Sequence, residues 1–155
     1  MQRKTKVNAE DGKQELSISR EFDLPLELLF KAHIEPTMVE QWMGTKVLNL
    51  ESRKHGGYQF ETTDPQGNVI FRAHGVIHEL SPNRKIVRTF EMENTPFGVQ
   101  IEFYDFEKLT EDTSRLNMHV IFESVAQRDQ LLKLPFAQGL NMAHDRIQDI
   151  VNKLR

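Results

Sequence analysis

After Ser124 the apolar residues change their spacing. Upstream they recur at every second position in segment after segment. Downstream, Phe136, Leu140, Ala143, Ile147, Ile150, Val151 and Leu154 fall on one stripe at the helical period, with Gln138, Asp145, Gln148 and Lys153 elsewhere. A chain of strands closed by one long amphipathic helix must bury that stripe against the sheet, which makes an α+β layer arrangement. The 155 residues, 38% of them apolar, are enough for one domain with a core of its own.

The alternation begins at Glu15, with Leu16, Ile18 and Phe22 on one side and Ser17, Ser19 and Glu21 on the other. Residues 1–14 are polar, hold only Val7 and Ala9 as apolar residues besides Met1, and contain Asp11-Gly12, so they read as a weakly ordered leader before a single domain over 15–155. Pro25 at a first turn, followed by Leu26, Leu28, Leu29, Phe30 and Ala32, predicts a short helix reaching Ile34. A second short helix after Glu35-Pro36 carries Met38, Val39, Trp42 and Met43 and stops at Gly44. Strand segments then follow over 46–52, 58–63, 69–80, 85–92, 99–109 and 115–123, separated by Gly56-Gly57, Asp64-Pro65-Gln66-Gly67-Asn68, Ser81-Pro82-Asn83 and Asn94-Thr95-Pro96. In the fifth of these, Val99, Ile101 and Phe103 share one face; in the sixth, Leu116, Met118, Val120 and Phe122 do, with Asn117 and His119 opposite. Residues 125–134 form a preliminary helical stretch, broken from the main helix at Pro135. An antiparallel sheet of about six to seven strands is large enough to curl around the last helix, and the curl leaves a candidate pocket between them.

Composition removes several chemistries. With no cysteine there is no disulfide framework, thiol nucleophile or cysteine metal site. Lys+Arg of 20 against Asp+Glu of 23 leaves a net charge of -3, the wrong balance for a nucleic-acid partner. Arg3, Lys4 and Lys6 have no apolar run behind them, so the reading expects no signal segment or membrane span and, by default, a cytoplasmic location.

This order of elements resembles the helix-grip fold of the START/Bet v 1-like (SRPBCC) superfamily, in the branch similar to the C-terminal domain of the activator of heat-shock protein 90 ATPase. The resemblance is carried by Pro25, Phe30 and Ala32 with Glu35-Pro36 and Gln41-Trp42-Met43-Gly44. It continues through Gly56-Gly57-Tyr58-Gln59-Phe60, Gly75-Val76-Ile77-His78-Glu79-Leu80-Ser81-Pro82, and Gly139-Leu140-Asn141 with Asp145-Arg146-Ile147. It spans residues 15–154. The chain departs from the family's pattern at Met43, where a second tryptophan often stands, and at Leu140, where an aromatic often follows the helix glycine, so no family ligand is carried over.

No GxSxG, HExxH, Walker-type or GxGxxG pattern is present, and the reading assigns no catalytic residue, metal or cofactor. His33, His55, His74, His78, His119 and His144 form no motif; His74 and His78, i and i+4 within a strand, stand about 13 Å apart and cannot share one ion. His119 opposes its strand's apolar parity and faces solvent, whereas His144, beside the helix stripe, either edges into the pocket or sits in a structural or surface position. Arg72 shares parity with Ile70 and Val76, and Arg88 with Ile86 and Phe90, so either could point inward and anchor an acidic head group, or be matched by Glu61, Glu102 or Asp105. Trp42, Tyr58, Phe60, Phe90, Phe103, Met118, Phe122 and Phe136 line the pocket or fill the core, and Leu140 and Ile147 face it from the helix.

Together with the resemblance, the missing catalytic constellation points to noncatalytic binding of a small hydrophobic or amphipathic molecule between sheet and helix. The resemblance also implies two alternatives. One is a chaperone-interaction module like the ATPase activator domain. The other is an enzyme similar to polyketide cyclases, for which Arg72, Arg88 and His144 are the polar groups to examine.

Overall fold

The computed structural model describes residues 3–154; Met1 and Gln2 of the expected leader and Arg155, the end of the expected domain, lie outside them. The described residues form β1 (Lys6–Asn8), β2 (Glu15–Phe22), α1 (Leu26–Ile34), α2 (Pro36–Met43), β3 (Lys46–Leu50), β4 (Gly57–Thr63), β5 (Val69–Ser81), β6 (Lys85–Met92), β7 (Val99–Lys108), β8 (Ser114–Phe122), α3 (Val125–Leu132) and α4 (Phe136–Asn152). The strands make one antiparallel sheet in the order β1-β2-β8-β7-β6-β5-β4-β3. From β3 to β8 the chain is a meander of hairpins; α1 and α2 carry it from β2 across to the far edge at β3.

Local chemistry sets these boundaries. Pro36 opens α2 at a position where a missing N–H costs nothing, and Gly44, at φ 68°, closes it in the left-handed region. Pro82 and Asn83, at φ 60°, turn β5 into β6 with Arg84 N–H donating to the Ser81 carbonyl at 3.0 Å, as a type II turn requires. Register shifts at Val47/Asn49, Thr62/Thr63 and Ile77/Glu79 put bulges into the β3–β6 half of the sheet, where they bend it.

The sheet has eight strands, not six or seven, because the leader contributes one. Three residues are too few to show a period, yet Lys6–Asn8 pairs with β2, and Val7 and Ala9 of the leader pack on the core. Buried Arg128 also holds the leader, donating to the Glu10 carbonyl at 2.7 Å.

Two strand faces differ from the expectation. On β7 the inward side carries Gln100, Glu102, Tyr104 and Phe106, all buried, while Ile101 is 41% exposed and Phe103 stacks on His119 on the outer face. Adjacent strands settle that choice: Glu102 pairs with inward Arg88 and Phe103 with outward His119. On β5, Ile70 and Val76 are exposed and Ala73 and Ile77 are buried, so Arg72 points away from the core. At the end of α4 the stripe stops at Val151, since Leu154 lies exposed beyond the helix.

The buried apolar residues form two clusters instead of one. The larger runs through Leu16, Phe22, Phe30, Leu116, Phe122 and Ile147; the smaller holds Val39, Tyr58, Phe60 and Ile77. A domain of this size ordinarily has one contiguous core, and the seam between the two is where the candidate site lies.

Candidate functional site

Between the inner face of the sheet and the first half of α4 lies a cavity of about 580 Å³. Ile18, Met118, Val120 and Leu131 reach it from the side of the large cluster, Met43, Phe71 and Phe90 from the small one, and Phe136, Leu140 and Ala143 from α4. Leu134, which is half exposed, also lines it. The helix above it is held at its middle, where Arg146 Nε donates to the Trp42 carbonyl at 2.7 Å and Arg20 pairs with Asp145 at 2.9 Å. Trp42 in turn donates its indole N–H to the Ala32 carbonyl at 2.8 Å, tying α2 to α1.

The floor of the cavity is polar. Arg88 Nε donates to Glu102 Oε1 at 2.7 Å and Arg88 Nη2 to the Tyr104 hydroxyl at 2.7 Å, which itself donates to Glu102 Oε1 at 2.9 Å. Gln100 Nε2 donates to Glu102 Oε2 at 2.7 Å. The guanidinium lies 4.7 Å from the Tyr58 ring centroid and 5.0 Å from that of Tyr104, so the positive charge is held between two π faces and matched by one carboxylate. Burial opposes that charge, but Tyr104, Tyr58 and Glu102 outweigh it and raise the arginine's pKa above its ordinary value. Burial also pushes both tyrosine hydroxyls up, so they remain protonated. The Tyr58 hydroxyl donates to the Thr89 carbonyl.

Two histidines complete the lining, both neutral. Burial pushes His33 down to about 4, against the opposing effect of its bond to Leu29 and with help from Arg88. Its Nδ1 lies 2.9 Å from the Leu29 carbonyl, which can only accept, so Nδ1 carries the proton and Nε2 a free lone pair. His144 is pushed down to about 3, by burial first and then by His33 and Arg20. Its Nδ1 lies 2.7 Å from the Thr5 hydroxyl, which also accepts from Arg20 Nη1 at 3.4 Å.

Of the residues expected at the pocket, Trp42, Arg88, Phe90, Met118, Phe136, Leu140 and His144 line this cavity. Tyr58, Phe60, Phe122 and Ile147 do not; they are buried core, with Tyr58 beneath the Arg88 guanidinium. Phe103 is on the outer face, and Arg72 pairs with Glu61 at 3.2 Å outside the cavity. Sequence reasoning missed Gln100, Tyr104 and His33 as lining. The available signals were Tyr104 and Phe106, two aromatics on the parity of Glu102, and the i, i+4 step from Leu29 to His33 on the apolar side of α1. Among the described residues no group of three or more His, Asp or Glu side chains is placed to hold a metal ion. A second hollow, about 600 Å³, opens among Arg3, Lys4, Lys6, Ser19, Arg20, Glu21, Arg115 and Asn117, walls that suit water.

Residues 23–152 match the family described as activator of Hsp90 ATPase homolog 1-like protein. The chain belongs to that family. Among solved structures, this member of the activator of Hsp90 ATPase homolog 1-like family is similar to a protein from Rhodobacter sphaeroides (TM-score 0.85, 16% identity, 96% of this chain and 99% of that one covered). It is also similar to one from Arthrobacter aurescens (TM-score 0.84, 18% identity, 96% and 91% covered) and to protein Ms6760 from Mycobacterium smegmatis (TM-score 0.81, 18% identity, 94% of each covered). At these identities the likeness is one of fold. A search of curated proteins finds no match. No helix among the described residues is long and apolar enough to cross a membrane.

Proposed function

We propose that this chain binds a small apolar or amphipathic molecule, without transforming it, in the cavity beneath the first half of α4. The observation that carries the reading is the cavity itself. A volume of about 580 Å³, walled by apolar side chains and floored by a few converging polar ones, has the size and composition of a small-molecule site. Protein interiors otherwise pack to the density of organic crystals, and this one leaves its space between two separate clusters.

Trp42 is the single tryptophan and lines the cavity, so its emission reports occupancy. Titration with uncharged two-ring aromatic compounds is expected to give a saturable change in that emission and a rise in Tm. Ala143→Phe, which fills the space from α4, is expected to abolish both. Unchanged emission and Tm across such a panel would overturn the reading.

The convergence of Arg88, Glu102, Tyr104 and neutral His33 on one floor favours a second reading, an enzyme similar to polyketide cyclases. Recovery of bound compounds chemically unchanged supports the first reading, and conversion supports the second. A role as a chaperone partner rests on the family description alone.

A further inference from the structure

The polar floor carries an inventory of free hydrogen-bonding positions, and that inventory selects a head group. Arg88 Nε donates to Glu102 and one Nη2 hydrogen to Tyr104, while among the described residues nothing hydrogen-bonds to Nη1, which carries two N–H groups. Only Arg20 Nε and Arg72 Nε are at once buried and unpartnered among the described residues, so Arg88 Nη1 is not sealed off, and Arg88 lines the cavity. By the same reasoning Gln100 Oε1 and His33 Nε2 are acceptors without a partner among the described residues and not sealed off, and both residues line the cavity. The floor therefore offers N–H donors, at least the two on Arg88 Nη1, together with two acceptors.

Its charge is already balanced. Glu102 lies 2.7 Å from Arg88 Nε, both side chains are largely buried, and both cavity histidines are neutral. A carboxylate entering here would give up its hydration to face an arginine whose charge is spent and a second carboxylate beside it. A hydroxyl fits without that penalty, since it can accept from Arg88 Nη1 while donating to Gln100 Oε1 or His33 Nε2. The acidic head group expected from an unpaired inward arginine is thereby disfavoured.

Building on the ligand-binding reading of the cavity, we propose that the Arg88–Glu102–Gln100 floor is a head-group subsite for an uncharged, hydroxyl-bearing molecule whose apolar body lies against Phe90, Met118 and Leu140. The ligand class is a neutral hydroxylated aromatic or alicyclic compound, not a fatty acid or other carboxylate.

The test is calorimetric titration of the full chain at pH 7.5 with naphthalene, 2-naphthol and 2-naphthoate, which share one apolar body. The expected order is 2-naphthol tightest, by roughly tenfold over naphthalene and by more over naphthoate. In Glu102→Gln, which keeps the shape of the floor but frees the arginine's charge, naphthoate is expected to gain on naphthol by roughly tenfold or more. Circular dichroism checks that this variant folds; if it does not, the three-ligand comparison on the native chain decides alone. Naphthoate binding as tightly as naphthol, or naphthol no tighter than naphthalene, overturns the subsite and leaves the cavity reading standing. No binding of any of the three overturns the cavity reading, and the subsite with it.

Discussion

Arg88 on β6 and Glu102 on β7 are direct cross-strand partners whose side chains meet at 2.7 Å on the inner face of the sheet, with two aromatic rings against the guanidinium. An ion pair in that position is costly to bury and costlier to break, because removing one member strands the other. Arg88→Met is expected to destabilise the protein by about 3 kcal/mol, Glu102→Leu by a similar amount, and the double variant by less than either alone. Urea denaturation of the four proteins at pH 7 checks this; additive losses would show that the two side chains do not act as a pair.

The two cavity histidines make stability depend on pH. Both are held neutral, with pKa values lowered from 6.5 to about 4 for His33 and about 3 for His144, so below 6.5 the unfolded chain binds protons that the folded one does not. Their contribution is intact above 6.5 and is lost as pH falls toward those folded values. Between pH 7 and 5 each is expected to remove roughly 2 kcal/mol. His33→Gln and His144→Gln should each flatten the pH dependence of the urea midpoint; a slope unchanged in both variants would place the titration elsewhere.

Gly139 lies in the fourth helical position of α4, over the cavity, and a Cβ there would meet nothing within 4 Å. Gly139→Ala is therefore expected to stabilise the protein by about 0.5–1 kcal/mol, through the entropy of the unfolded chain. A loss of stability in the same urea assay would mean that the first half of α4 is not helical in solution.

Thr5 carries the leader's strongest claim to be structural. Its hydroxyl satisfies His144 Nδ1 at 2.7 Å and its backbone N–H donates to Asn141 Oδ1 at 2.9 Å. Thr5→Val keeps the shape and leaves a buried ring nitrogen unpartnered, which is expected to cost about 1–3 kcal/mol. Thermal melts of this single variant distinguish an ordered leader from a dispensable one, for which the Tm would not move.

The helices and most strands were legible because their periods run for eight residues or more between prolines and glycines, as at Pro25, Pro36 and Gly44. The site was legible where apolar and inward coincided, at Trp42, Phe90, Met118 and Leu140. It was hidden on β7, where either parity supplies aromatics: Val99, Ile101 and Phe103 looked like the inner face, yet the neighbours of that strand decided for Gln100, Glu102 and Tyr104. Arg20 was hidden for the same reason, as a charged residue on the buried parity of β2, matched by Asn141 and Asp145 far along the chain. Such choices depend on pairing between strands and on partners more than a hundred residues away, which no local period records.

The central claim, that the space under α4 takes a small molecule, is tested most directly by amide chemical-shift mapping of the labelled chain titrated with 2-naphthol. The account predicts saturable shifts at Gly139, Leu140 and Ala143 on α4, at Arg88 to Met92 on β6, and at the Trp42 indole N–H. Shifts confined to the outer face around Ile70, Val76 and Ile101, or no saturable shifts at all, would contradict it.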